Sequence, residues 1–168
     1  MDTESLLKLL NAHNVEFVII GATAFPVHGY ARATLDIDLF IRPGPENARR
    51  TLKALKEFGY DVTDLNEEDL LSKKVLIRQY LVETDIHPLV QGVTFDQVWK
   101  NRVSGTYGNE KVFYASLGDL ITMKKAAGRP KDIEDLKVLL RLKKSKGGCR
   151  QCSGRTCMVF YVVSLFML

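Results

Sequence analysis

The sequence predicts a single α/β (α+β) domain, and three observations predict it. An apolar, β-branched run, VEFVII, stops at Gly21, and a second run, LDIDLFI, stops at Arg42-Pro43-Gly44. Stretches with helical apolar spacing stand before, between and after them, punctuated by Pro at their starts and Gly at their ends. The chain of 168 residues suits one compact domain with a real core. Its 46% hydrophobic and 26% charged residues exclude a disordered or fibrous polymer.

The first element is a helix that starts at Asp2 or Thr3 as cap, carries Leu6, Leu7 and Leu10 on one face and ends near Asn14. VEFVII then reads as a buried strand whose carboxyl end is Gly21. ATAFPVHGY has room for a short helix closed by Gly29, so that LDIDLFI completes a β-α-β order. ENARRTLKALKEFG is a helix with Pro45 near its first turn and Gly59 after its last. A polar stretch to Lys74 precedes VLIRQYLVETDIHPLV, which reads as one or two strands with no visible turn. TFDQVWKNR is a short helix, and KVFYA is a strand after a Gly-containing loop. Two helices close the body, SLGDLITMKKAAG with a Ser116-to-Asp119 capping box and KDIEDLKVLLRLKKS after Pro130.

Residues 1–144 form the predicted domain, and residues 145–168 read as an atypical tail outside it. All three cysteines, Cys149, Cys152 and Cys157, lie in this tail. They offer at most three thiolates to a zinc site that wants four ligands, so structural zinc is not expected. A cysteine-free body and an acidic N-terminus without an apolar core region point to a reducing, cytoplasmic setting. The apolar run from Met158 has 11 residues, against the roughly 20 that span a bilayer, so no membrane partner is expected. The net charge of +4 is compatible with a polyanionic partner, and the basic residues of the late helices tilt the reading toward RNA.

The chemistry lies in LDIDLFI. On a strand Leu35, Ile37 and Leu39 share one face while Asp36 and Asp38 project together from the other. Two like charges so close are costly unless a cation neutralises them, and a divalent ion is the simplest neutraliser. Magnesium suits carboxylate and phosphate oxygens and keeps several waters, so these aspartates plus a triphosphate would complete its shell. Gly21, 15 residues before Asp36, lets the backbone approach a ligand and offers amides to phosphate. A helix starting in ATAFPVHG would add its positive end. Further along, Glu83, Asp85 and His87 alternate with Val82, Thr84 and Ile86, so Asp85 is the third carboxylate, or Glu83 in a shifted register. Lys124, Lys125, Arg129 and Lys131 gather cations at the last helix junction, close to Asp132 and Asp135.

The order IIGATAFPVHG, RATLDIDLFI, ETDIHPL and LITMKKAAGRPKDIEDL, over roughly residues 5–142, resembles the minimal nucleotidyltransferases of the polymerase-beta-like superfamily. It is most similar there to the AbiE-type toxin nucleotidyltransferases, with their R-x-T-x-D-x-D and K-x-x-A-x-x-R-x-K-D patterns. The resemblance implies a small mixed β-sheet flanked by helices with a C-terminal helical pair. It implies Asp36, Asp38 and Asp85 as ligands of two Mg2+ ions, with Mn2+ as the alternative metal, and Asp85 as general base. Gly21, Ala22, Thr23, Arg32 and Thr34 would bind the nucleotide. Lys124 would contact its phosphates as part of the catalytic set, and Arg129 would join it. Lys131 and Asp132 would help hold the last helix in place. A nucleoside monophosphate would pass from an NTP to a hydroxyl on RNA or protein, in a toxin–antitoxin or abortive-infection setting with a cognate toxin or antitoxin as partner. One departure stands out: the usual Gly-Gly or Gly-Ser turn is Gly21-Ala22 here, followed by Thr23 with its own hydroxyl. That departure keeps a second reading open, a catalytically degenerate module that binds a nucleotide or partner protein. His28, of a His-Gly pair, reads as a histidine packed beside a turn rather than a catalytic one.

Overall fold

The computed structural model describes residues 2–79 and 82–147. Helix α1 (Thr3–Ala12) is capped by Asp2, whose carboxylate accepts the Ser5 amide at 2.8 Å, and it buries Leu6, Leu7 and Leu10 completely. Each such leucine contributes about 1.5–3 kcal/mol relative to exposure. Strand β1 (Phe17–Ile20) is buried at every position, because it lies inside the sheet with both faces covered. Strand β2 (Asp36–Ile41) runs antiparallel to it and alternates half-exposed Asp36 and Asp38 with buried Ile37 and Leu39. Leu35, expected to share the inner face of this strand, lies outside it and is 86% exposed.

Helix α2 (Pro45–Phe58) has Pro45 in its first turn and ends at Gly59, whose φ of 98° only glycine adopts without strain. It packs on α1. A single turn, α3 (Asp69–Ser72), leads into strands β3 (Val75–Ile77) and β4 (Glu83–His87), which pair antiparallel. The run that showed no turn in sequence is therefore two strands, one ending at Ile77 and the other starting at Glu83. Helix α4 (Phe95–Asn101) follows, capped by Thr94.

Strands β5 (Val103–Tyr107) and β6 (Glu110–Tyr114) form a hairpin turning at Gly108-Asn109. Sequence reasoning took the first of them for a loop. Its residues alternate between half-exposed and exposed on a sheet edge, and Gly105 interrupts it, so no apolar run announces it. Helices α5 (Leu117–Ala127) and α6 (Pro130–Gly147) pack together around the left-handed Gly128. Of the expected capping box, the Ser116 half is present, its hydroxyl accepting the Asp119 amide at 3.1 Å, while the Asp119 carboxylate accepts from that hydroxyl at 2.7 Å. Helix α6 continues past residue 144 to Gly147, while Cys149, Cys152 and Cys157 lie outside the described residues. The side chain of Lys131 also lies outside the description.

The six strands make one mixed sheet in the order β3-β4-β2-β1-β6-β5. Strand β2 runs parallel to β4 with Asp38 opposite Asp85, and β1 runs parallel to β6. This is the mixed sheet with flanking helices and a C-terminal helical pair that the sequence implied. Among the described residues no helix is long and apolar enough to cross a membrane.

Candidate active site

Where β1 ends, the chain turns at Gly21 with φ 67° and ψ −155°, a backbone region that is essentially glycine-only. Two three-residue 3-10 turns follow, Ala22–Ala24 and Pro26–His28, in place of the expected helix. Such short turns carry no useful dipole, so any hold on a phosphate here must come from individual amides. His28 is buried and its Nε2 lies 2.8 Å from the Ala115 carbonyl oxygen, which ties the turn to the segment after β6.

A cleft of about 570 Å3 opens between this turn, the acidic side of β2 and β4, and helix α5. Gly21 and Ala22 line one wall, Arg32 and Thr34 stand at the entrance of β2, and Lys124 and Arg129 close the helical side. Asp36, Asp38 and Asp85 all face it. Thr23 does not: it lines a neighbouring cleft, and its hydroxyl donates to the Asp36 carbonyl oxygen at 3.1 Å.

The three carboxylates are not equivalent. Parallel pairing of β2 with β4 sets Asp38 opposite Asp85, and ligand atoms of Asp38, Asp85 and His87 lie within 4.8 Å of one another. His87 Nε2 is 2.8 Å from Asp38 Oδ1. Asp36 accepts a hydrogen bond from the Thr34 hydroxyl and stands outside this group. Asp85, rather than Glu83, is the acidic residue facing Asp38, while Glu83 pairs across with Asp36. Sequence reasoning missed His87 as a member of the cluster, although the alternation that selected Asp85 places His87 on the same side.

Asp85 is 3% exposed and both its oxygens are ion-paired, Oδ2 with Lys74 at 2.5 Å and Oδ1 with Arg78 at 2.6 Å. Burial alone would raise its pKa, but the hydrogen bonds and charges of Lys74 and Arg78 outweigh it and hold the carboxyl below its ordinary value. Lys74 also lines the cleft and was invisible to sequence reasoning, since only the β3–β4 register brings it there.

The cations at the helical side are braced. Lys124 bonds Asp132 at 2.6 Å and Asp135 at 3.1 Å, Arg129 bonds Asp132 at 2.7 Å, and Arg32 reaches Asp135 at 3.2 Å. Burial pushes the Asp132 pKa up, yet Arg129 and Lys124 together leave it lowered. A carboxylate with a depressed folded pKa adds stability above its ordinary titration point, near pH 4, and loses it as acidification reaches the folded value. Asp132→Asn should therefore cost about 3 kcal/mol at pH 7, the scale for breaking one side of a buried ion pair. The gap to wild type should narrow at pH 3, read from urea melts at both pH values.

The second cleft, about 770 Å3, shares Ala22, Arg32, Thr34 and Asp36 with the first. Its other walls come from Val27, Leu35, Ser104, Thr106 and Tyr107. Among the described residues that line it, only Arg32 and Asp36 are charged.

The mixed sheet thus raises carboxylates from adjacent strands beside a glycine turn, with braced cations across the cleft. The chain belongs to the family described as "Nucleotidyltransferase of unknown function (DUF6036)", which matches residues 1–141. Its structure is similar to the crystal structure of the lincosamide antibiotic adenylyltransferase LnuA, lincomycin-bound, with a TM-score of 0.57 and 16% identity. That match covers 84% of this chain and 98% of the other, and at this identity it is a likeness of fold. A search of curated protein sequences finds no match.

Proposed function

We propose that this chain transfers a nucleoside monophosphate from an NTP to a hydroxyl acceptor in a divalent-metal-dependent reaction, with the first cleft as the nucleotide site. The observation that carries the reading is the convergence of Asp38, Asp85 and His87 within 4.8 Å, on adjacent strands beside Gly21. Two carboxylates and an imidazole fit a divalent ion; the oxygens suit Mg2+ and the nitrogen makes Mn2+ equally acceptable. Asp36, next along the same side of β2, is the candidate ligand for a second ion. Such an ion, when bound, neutralises the triphosphate and the leaving pyrophosphate.

The protein's own groups do the rest. Gly21 and Ala22 bring backbone close to the triphosphate, while Lys124 and Arg129 stand across the cleft as its phosphate partners, with Arg32 and Thr34 at the mouth. The acceptor oxygen bonds to the α-phosphorus as the bond to the β-phosphate oxygen breaks. The acceptor proton goes to the Asp85 carboxylate, and pyrophosphate leaves. Positioning and charge supply most of the acceleration in such chemistry.

The acceptor enters through the second cleft, which meets the first at Asp36. Its nearly uncharged lining, with Arg32 already tied to Asp135, supports a protein hydroxyl over an RNA end. A cognate toxin or antitoxin protein in the cytoplasm is the acceptor or partner consistent with the motif order. Incubation with α-labelled NTPs, a cell protein fraction and total RNA tests this: label should appear on protein, with pyrophosphate released, and EDTA should abolish both. Label on RNA would overturn the acceptor assignment, and transfer unaffected by EDTA would overturn the metal. The ion pairs that engage both oxygens of Asp85 favour the second reading, a module that binds triphosphate without turnover. Nucleotide binding without pyrophosphate release would identify it.

A further inference from the structure

We infer that Lys74 is an exchangeable counter-ion of Asp85, surrendered to a nucleotide phosphate when a divalent ion takes its place, so that metal and triphosphate bind cooperatively. The inference rests on the metal–nucleotide reading of the cleft and adds a residue which that reading does not use.

Asp85 is almost wholly buried, so its charge needs a cation at all times. Lys74 and Arg78 supply it, but they are held differently. Arg78 also bonds Glu83 at 3.2 Å, the Ile77 carbonyl at 3.1 Å and the Thr84 carbonyl at 3.4 Å, which fixes its guanidinium against β3 and β4. Lys74 is as exposed as Arg78, but among the described residues it meets only Asp85, through its ammonium, and it sits just before a three-residue edge strand. It lines the same cleft as Gly21, Lys124 and Arg129, within the volume assigned to the triphosphate.

An ion that uses Asp38, His87 and Asp85 meets a carboxylate whose Oδ2 already holds Lys74 and whose Oδ1 holds Arg78. In the free protein the ion must therefore compete with the Lys74 ammonium on one Asp85 oxygen while Arg78 keeps the other. A triphosphate removes the obstacle, because an ammonium on a flexible four-carbon stem is a ready phosphate binder. In the exchange Asp85 trades one cation for another and Lys74 trades one anion for another, so charge stays balanced throughout. Coupling of this kind is reciprocal: the ion strengthens nucleotide binding by the factor with which the nucleotide strengthens ion binding.

The test uses the full chain, Mn2+ and α,β-methylene-ATP, which cannot release pyrophosphate. Electron paramagnetic resonance of free Mn2+ gives metal affinity without nucleotide, and calorimetry gives affinity for α,β-methylene-ATP with and without Mn2+. Lys74→Met should bind Mn2+ alone more tightly than wild type, on the order of tenfold, and lose a similar factor from the Mn2+ enhancement of nucleotide binding. Lys74→Arg, which keeps the charge, should restore wild-type behaviour. Should Lys74→Met fail to fold by circular dichroism, Lys74→Gln carries the same expectation. Equal Mn2+ affinity in wild type and Lys74→Met, with Mn2+ still enhancing nucleotide binding in both, would overturn the inference alone. Absence of any Mn2+ enhancement in wild type would overturn the metal–nucleotide reading beneath it.

Discussion

Asp38→Asn is expected to reduce transfer by about two to three orders of magnitude, the scale for losing one strong electrostatic group from a preorganised site. The fold should be nearly unaffected. Asp38 sits where the two parallel strands put it directly opposite Asp85, with His87 Nε2 2.8 Å from one of its oxygens. The amide keeps the volume and can still pair with His87, but it removes the charge that the proposed cation site requires. The change is also at a half-buried position rather than in the core, so the penalty of an unsatisfied buried group does not arise. Pyrophosphate release and thermal melting measured on the same preparation separate the two effects. Wild-type turnover in Asp38→Asn would remove this residue from the site, and a collapsed melt would make its role structural.

The second large effect belongs to Gly21→Ala. A Cβ added at Gly21 would lie 2.1 Å from Asp38 Oδ2 and 2.8 Å from its Cγ, far inside contact distance. The backbone angles there are also forbidden to a side chain, and forcing one into that region costs about 1–3 kcal/mol. Strain and displacement thus fall on the same carboxylate, so stability and transfer should drop together, transfer by more than the loss of folded protein explains. Gly29→Ala is the control. Its φ of 94° is left-handed and also costs stability, less than at Gly21, yet its Cβ would point into open space, so it should lose stability without a matching loss of activity per folded molecule. Equal activity losses in the two variants would mean that the close approach of Gly21 to Asp38 has no functional weight.

What could be read from the sequence follows from how each feature is encoded. VEFVII, LDIDLFI and the helices bounded by Pro45 and Gly59 or by Ser116 and Gly128 carry their signals locally, in period and punctuation, and appear where expected. The strand Val103–Tyr107 carries no such signal, because an edge strand with Gly105 in its middle needs no continuous apolar face. The stretch after Gly21 misled for the opposite reason: Ala, Phe and Pro allow a helix, but two separate 3-10 turns form there instead, the second closed by the left-handed Gly29.

The site divides in the same way. Asp38 and Asp85 follow from the two-residue period of a strand, and so does His87, which was passed over because magnesium favours oxygen donors. That Asp36 turns to Thr34 depends on a short-range hydroxyl bond to its carboxylate. Lys74 depends on the antiparallel register of β3 against β4, a non-local fact that no motif records.

The central claim is that Asp38, Asp85 and His87 hold a divalent ion against a triphosphate at the Gly21 turn. A crystal of the full chain grown with Mn2+ and α,β-methylene-ATP tests it most directly, through the anomalous scattering of manganese. The account predicts an anomalous peak in contact with the Asp38 and Asp85 carboxylates and the nucleotide phosphates. Nucleotide bound in the cleft with no manganese at these residues, or with the ion elsewhere, would contradict it.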